Sequence, residues 1–166
     1  MKTLILYATK HGTTHEIARR IAGQTGDATV HNLKQRGAPA LDSFDRIIIG
    51  GSIYAGMMRK EAKTFLSRNA DVLRRKELGL FLCCLDAYKQ KEYFDTNIPS
   101  ELLQSAKATA FLGGIFDPEK SSFMERFIMK LAAKQPKYIN NIDDVEIRSF
   151  VERMSKPQKA TLEGEL

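Results

Sequence analysis

Apolar runs alternate with helically spaced apolar positions from one end of this chain to the other. The runs Thr3 to Ala8, Ala28 to Leu33, Arg46 to Gly50, Leu78 to Cys83 and Ala108 to Gly113 have the length of strands, and most are apolar throughout, as strands covered on both faces are. Ala28 to Leu33 is more polar and reads as an edge strand. Helical spacing predicts helices over Thr14 to Gln24, Arg59 to Asn69, Lys91 to Gln104, Ser122 to Lys134 and Asp143 to Met154, the first with a core stripe of Ile17, Ala18, Ile21 and Ala22. Strand and helix in regular alternation predict an α/β domain with a doubly wound, five-stranded parallel sheet of order 2-1-3-4-5 and helices on both faces. This domain should span residues 1–154. The tail 155–166 carries Pro157 and Gly164 with little apolar content and is expected to be loose.

A sheet of this order binds ligands beyond the carboxyl ends of its strands, where the order reverses. Three loops should meet there: Thr9 to Thr14, Gly51 to Arg59, and Cys84 to Gln90. The first is a hydroxyl-rich turn feeding a helix. The free N–H groups of a first helical turn, the helix dipole and the hydroxyls of Thr9, Thr13 and Thr14 all favour an anion, and Gly12 permits a tight curl around it. A ligand-free alternative is a capping box of Thr13 with Glu16. The second loop, which together with Gly50 has three glycines plus Ile53, Tyr54, Met57 and Met58, suits the face of a flat ring, and Tyr88 of the third loop could stack from the other side. In the alternative, both tyrosines simply lie on the surface. Phosphate loop and ring loop together point to a mononucleotide.

Composition narrows the partners. With 166 residues the chain makes one domain with a real core. Its opening strand lacks the character of a leader, and no apolar run nears the roughly 20 residues of a membrane span, so a cytoplasmic protein is expected. Cys83 and Cys84 are adjacent and read as reduced structural thiols. A net charge of +6 favours an anionic partner, yet the charge is scattered and no recognition motif is present, which argues against nucleic acid. No metal site is expected. The first loop lacks the second glycine and lysine of a Walker A motif, and Lys89 and Gln90 stand where a cysteine phosphatase needs arginine.

The turn Thr9-Lys-His-Gly-Thr-Thr14 resembles the FMN-phosphate loop of the flavodoxin family, a likeness that extends over about Lys2 to Met154. Met1-Lys-Thr-Leu-Ile-Leu6, Asp45-Arg-Ile-Ile-Ile-Gly-Gly-Ser-Ile-Tyr54 and Met124-Glu-Arg-Phe-Ile-Met-Lys130 are similar to the menaquinone-dependent protoporphyrinogen dehydrogenases, a group within that fold. Those enzymes carry a longer basic insertion where Leu85 to Pro99 stands here, and the electron-carrier flavodoxins are strongly acidic where this chain is basic. The resemblance implies a flavodoxin-like fold and FMN. Thr9, Lys10, His11, Gly12, Thr13 and Thr14 would hold the phosphate, with Lys10 expected to be mainly a solvated surface lysine. Ser52, Ile53, Tyr54, Ala55 and Gly56 would border the ring, and Leu85, Asp86 and Tyr88 would close its other side.

The implied activity is an FMN-dependent oxidoreductase passing reducing equivalents from a small-molecule substrate, protoporphyrinogen IX in that group, to a quinone. The flavin carries the chemistry, and no catalytic acid or base is assigned. Arg59 or Lys60 near the ring would favour two-electron chemistry. The alternatives are an electron-transfer flavodoxin serving a redox partner protein, and a flavodoxin-shaped regulatory or scaffold protein without FMN. Residues 120–137 pose a separate choice. Phe123, Met124, Phe127, Ile128 and Leu131 form an apolar stripe among Lys120, Arg126, Lys130, Lys134 and Lys137, which suits either a helix packed on the sheet or one lying on the inner, anionic membrane face.

Overall fold

The computed structural model describes residues 1–132 and 137–157. Five parallel strands form the sheet: β1 (Thr3–Ala8), β2 (Ala28–Asn32), β3 (Arg46–Tyr54), β5 (Glu77–Cys83) and β6 (Ala108–Phe111), in spatial order β2-β1-β3-β5-β6. In sequence order this is 2-1-3-4-5, as the strand–helix alternation predicts. The two-residue β4 (Met57–Met58) folds back on the end of β3, pairing Ile53 with Met58 and Tyr54 with Met57. The helices are α1 (Thr13–Thr25), α2 (Lys60–Arg68), α3 (Ala70–Leu73), α4 (Gln90–Asn97), α5 (Ser100–Ser105), α6 (Phe123–Ala132) and α7 (Asp144–Ser155). A second, antiparallel pair joins β7 (Ile115–Phe116) to β8 (Ile139–Asn140).

Strand periodicity divides the core into two layers. Leu4, Leu6, Ile47, Ile49, Leu80 and Leu82 face the layer that contains Ala62 and Leu66 of α2, Tyr93 of α4 and Leu102 of α5. Ile5, Ile48 and Phe81 face Ile17, Ala18 and Ile21 of α1 and Phe150, Val151 and Met154 of α7. Each of these side chains is buried, and burying one the size of Leu or Ile is worth about 1.5–3 kcal/mol. Gly79 leaves the room that Phe150 and Met154 occupy, since a Cβ there would come within 2.9 Å of both.

Four expectations are corrected. The helix expected over Lys91 to Gln104 is two helices, because Pro99 adopts an extended backbone and lacks the N–H that a continuing helix requires. The third strand does not stop at Gly50 but runs on to Tyr54 to make the hairpin with β4. Thr13 is not a helix cap: Gly12 precedes α1 with φ 96°, no side chain caps it, and Glu16 pairs with Arg20 instead. Finally, α6 does not cover the sheet. Phe123 and Leu131 are 78% and 75% exposed, and α1 and α7 supply the covering helices on their side. Lys134 and most of the expected tail lie outside the described residues.

At the amino-terminal edge of the sheet a charged network joins three strands and a helix. Arg46 of β3 donates to Glu77 of β5 at 3.0 Å and to the Met154 carbonyl of α7 at 2.7 Å, and Lys107, just before β6, reaches Glu77 at 2.7 Å. Burial alone would raise the Glu77 pKa, but the hydrogen bonds and charges of Lys107 and Arg46 outweigh it and hold the carboxyl below its ordinary value of 4.5. A depressed carboxyl stabilises the fold in full above its unfolded pKa and loses that contribution as pH falls through the folded one. Glu77→Gln should therefore cost about 3 kcal/mol near neutrality, by stranding two buried cations, and should flatten the loss of stability in acid. Urea unfolding of both proteins across an acidic pH series would measure this.

Candidate functional site

Because all five strands run the same way, their carboxyl ends deliver three loops to one edge. The first is the link from β1 to α1. Gly12 N–H donates to Thr9 Oγ1 at 3.0 Å, which closes the loop on itself and leaves the Thr9 hydroxyl proton free to donate. The left-handed backbone of Gly12, open to glycine and costly to most residues, then turns the chain into α1. Since the first intrahelical bond runs from Glu16 N–H to the Gly12 carbonyl, the N–H groups of Thr13, Thr14 and His15 have no acceptor within the helix. Thr14 is fully buried, with the Cys83 thiol as a polar neighbour, and its Oγ1 makes no hydrogen bond of normal geometry. Burial pushes that thiol up to about 12, so Cys83 is a neutral, structural group, and both cysteines are free. His15 stacks on Tyr7 with ring centroids 5.1 Å apart, which fixes the first turn of α1 against β1.

The second loop is the β3–β4 hairpin. Its two central residues, Ala55 and Gly56, have φ of 48° and 78°, the positive values of a tight hairpin turn. Glycine tolerates this freely, whereas alanine is strained there by about 1–2 kcal/mol. Gly50 and Gly51 at its base allow close packing, for a Cβ would meet the Phe81 ring at 2.0 Å or Met58 at 2.6 Å. Tyr54 and Met57 are exposed at the tip, and Ser52 is half-buried. Ile53 and Met58 were expected to cover a ring with their side chains, but both are buried in the core below the loop.

Asn97, at the end of α4, holds this hairpin. Its side-chain oxygen accepts from Met58 N–H at 2.7 Å, and its nitrogen donates to the Gly56 and Tyr93 carbonyls, each at 2.9 Å. Nothing in the sequence singled it out. The third loop is stabilised similarly by Asp86, which accepts from Tyr88 N–H at 3.0 Å and from the Tyr93 hydroxyl at 3.2 Å. Burial, with Cys84 and Asp86 nearby, pushes Tyr93 up to about 12. Leu85 is half-buried, while Tyr88 is wholly exposed and stacks on no other ring among the described residues.

Lys10 is exposed at the surface, as expected, and it is also paired: its Nζ lies 2.7 Å from Glu125 Oε1 and 4.9 Å from the centroid of the Tyr54 ring, joining the first loop to α6 and to the hairpin. His11 Nε2 meets the same carboxylate oxygen at 3.0 Å. Glu125 is therefore a site residue the sequence analysis missed, although Ser122 three positions before it spells the capping box of α6. Ser122 N–H donates to Glu125 Oε2 at 2.7 Å, and Glu125 N–H donates to Ser122 Oγ. Burial works to raise the Glu125 pKa, but hydrogen bonds from Lys10, His11 and Ser122 lower it to about 2. The expected cation Arg59 is turned toward Glu61, at 3.7 Å, and Lys60 is exposed. No cluster of metal-ligating side chains occurs among the described residues, and no helix there is long and apolar enough to cross a membrane.

Fold and edge together define a doubly wound α/β protein with a helix start rich in free N–H groups beside a glycine-rich hairpin at its switch point. A flavodoxin domain family model matches residues 4–143, and the chain belongs to that family. It is distantly related to protoporphyrinogen IX dehydrogenase (quinone) of Escherichia coli strain K12, with 28% identity over 144 residues that cover 81% of this chain and 80% of that protein. Oxidised flavodoxin 1 from Bacillus cereus superposes with a TM-score of 0.55 at 18% identity, covering 93% of this chain and 95% of that one. A flavoprotein from Lactobacillus acidophilus NCFM, solved in complex with FMN, gives 0.50 at 20% identity, covering 68% and 91%. These superpositions establish the shared fold.

The Asn97 clamp yields a direct test. Asn97→Ala removes three hydrogen bonds and strands Met58 N–H and the Gly56 carbonyl, so it should destabilise the protein by roughly 2–4 kcal/mol. Hydrogen exchange should show faster exchange concentrated at residues 54–58, with little change in β1.

Proposed function

We propose that the chain binds FMN at this edge and acts as an FMN-dependent oxidoreductase, oxidising a substrate of the protoporphyrinogen type and delivering the electrons to a quinone. The observation that carries this reading is the start of α1. An unbonded Thr14 hydroxyl, N–H groups without helical acceptors and a left-handed glycine form a phosphate-sized donor set in a chain of the flavodoxin family. The FMN carried by the Lactobacillus acidophilus flavoprotein and the activity named for the Escherichia coli relative support the cofactor and the reaction.

The roles follow the loops. Thr9, Thr13 and Thr14 supply hydroxyls to the phosphate, Gly12 its close backbone, Lys10 a positive charge and His11 a ring nitrogen. Ser52, Tyr54, Ala55 and Gly56 border the ring, with Ile53 contributing only backbone, while Leu85, Asp86 and Tyr88 bound the opposite side. When bound, FMN supplies two-electron redox chemistry. The protein orients it, excludes water with the hairpin tip, and sets the charge around it through Lys10, the cation nearest the Tyr54 ring. Asp86 is occupied by Tyr88 and Tyr93 and positions the third loop.

An anaerobic absorbance titration with FMN, followed by protoporphyrinogen IX and a menaquinone analogue, tests the reading. Saturable binding and substrate-dependent bleaching are expected, with affinity for FMN about tenfold weaker in Thr14→Val. Absence of binding would overturn the cofactor assignment, and binding without bleaching would leave an electron carrier for a partner protein.

We further propose that α6 rests on an anionic lipid surface. Phe123, Met124, Phe127 and Leu131 are all exposed, and Arg126 and Lys130 stand exposed among them. Sedimentation with vesicles should show binding to anionic lipid at low salt, little to neutral lipid, and release as salt rises. Equal partition to both vesicle types would contradict it.

A further inference from the structure

The α6 helix is attached to the fold in an unusual way. Of its residues whose exposure is described, Glu125 alone is buried, Met129 is half-buried, and the remaining aromatic and aliphatic side chains face outward. A helix ordinarily docks through its apolar stripe. Here the described apolar stripe points away, and the buried contact is a carboxylate resting on Lys10 and His11. Those are the lysine and histidine of the loop that leads into α1, more than a hundred residues earlier in the chain.

The carboxylate occupies the position of an anion toward the Lys10 ammonium and the His11 ring, with one oxygen shared between them at 2.7 Å and 3.0 Å. A phosphate at the start of α1 would draw on the same two side chains. We propose that Glu125 is an intramolecular competitor for the Lys10 ammonium and the His11 ring nitrogen of the phosphate site, so that anion binding at α1 and docking of α6 are negatively coupled. Occupation of the site loosens α6, and a docked α6 weakens the site. The inference rests on the phosphate role given above to Lys10 and His11. Such coupling is reciprocal: whatever α6 loses in attachment when phosphate binds, phosphate gains when α6 is released. Its size is set by the partial exposure of Lys10 and His11, whose side chains are 35% and 31% exposed, which limits the competition to a several-fold effect.

Glu125→Gln isolates the charge. Glutamine still completes the capping box with Ser122, so α6 keeps its helix start while the anion disappears. FMN should bind the variant about three- to tenfold more tightly than the unmodified protein, whereas riboflavin, which lacks the phosphate, should bind both equally. Hydrogen exchange at residues 123–132 should be faster in the variant without ligand, and inorganic phosphate should speed it in the unmodified protein more than chloride at equal ionic strength. Weaker FMN binding by the variant would overturn the proposal, showing that Glu125 orients the Lys10 and His11 side chains for phosphate, and so would an equal change for riboflavin. If FMN binds neither protein, the cofactor reading fails while the exchange experiment still decides the coupling. An α6 indifferent to both phosphate and the substitution would then refute it.

Discussion

Everything in this molecule depends on the parallel alignment of its five strands. Parallel strands need a crossover after each one, and the crossover helices cover both faces, so the strands must be apolar on both sides and every loop that follows a strand emerges at the same edge. The alternation of Leu4, Ile5 and Leu6, or of Ile47, Ile48 and Ile49, between two separate core layers is the packing expression of that constraint. Convergence of the three candidate loops is its functional expression. Neither requires a dedicated interaction at the site.

Charge is distributed differently at the two edges. At the amino-terminal edge Arg46, Glu77 and Lys107 neutralise one another across β3, β5 and the approach to β6, with α7 tied in through the Met154 carbonyl. No strand can shift register there without exposing an unpaired charge. At the carboxyl edge the ion pair of Lys10 and Glu125 joins a loop to a helix that contributes little to the described core. One network fixes the scaffold. The other links a loop to a helix most of whose described side chains lie outside the core.

Most of the scaffold was legible in the sequence because period-two and 3.6-residue patterns are local properties. The order of strands followed from their alternation with helices, and the first two loops were found from their glycines and hydroxyls. Contacts between distant segments were not legible. Asn97 looks like any helix-end asparagine until β4 is seen beside it, and Lys10 reads as surface because its partner lies 115 positions away. The apolar stripe of α6 was visible, but which way it faces was not, because the helix is held by the contact of Glu125 with a loop more than a hundred positions away. Pro99, by contrast, announces the break between α4 and α5 plainly, and the long apolar spacing on either side masked it.

The amide of Asn97 has a polarity that no isosteric acid can reproduce. Its oxygen faces an N–H and its nitrogen faces two carbonyls, so the group is readable in only one orientation. Slow hydrolysis of that amide to aspartate, a change of one atom with almost no change of shape, would set a carboxylate against the Gly56 and Tyr93 carbonyl oxygens. The hairpin would lose the contact that holds its turn, although the shape of the buried side chain would hardly differ. The hold on the hairpin thus depends on the chemical identity of one atom and not on packing alone.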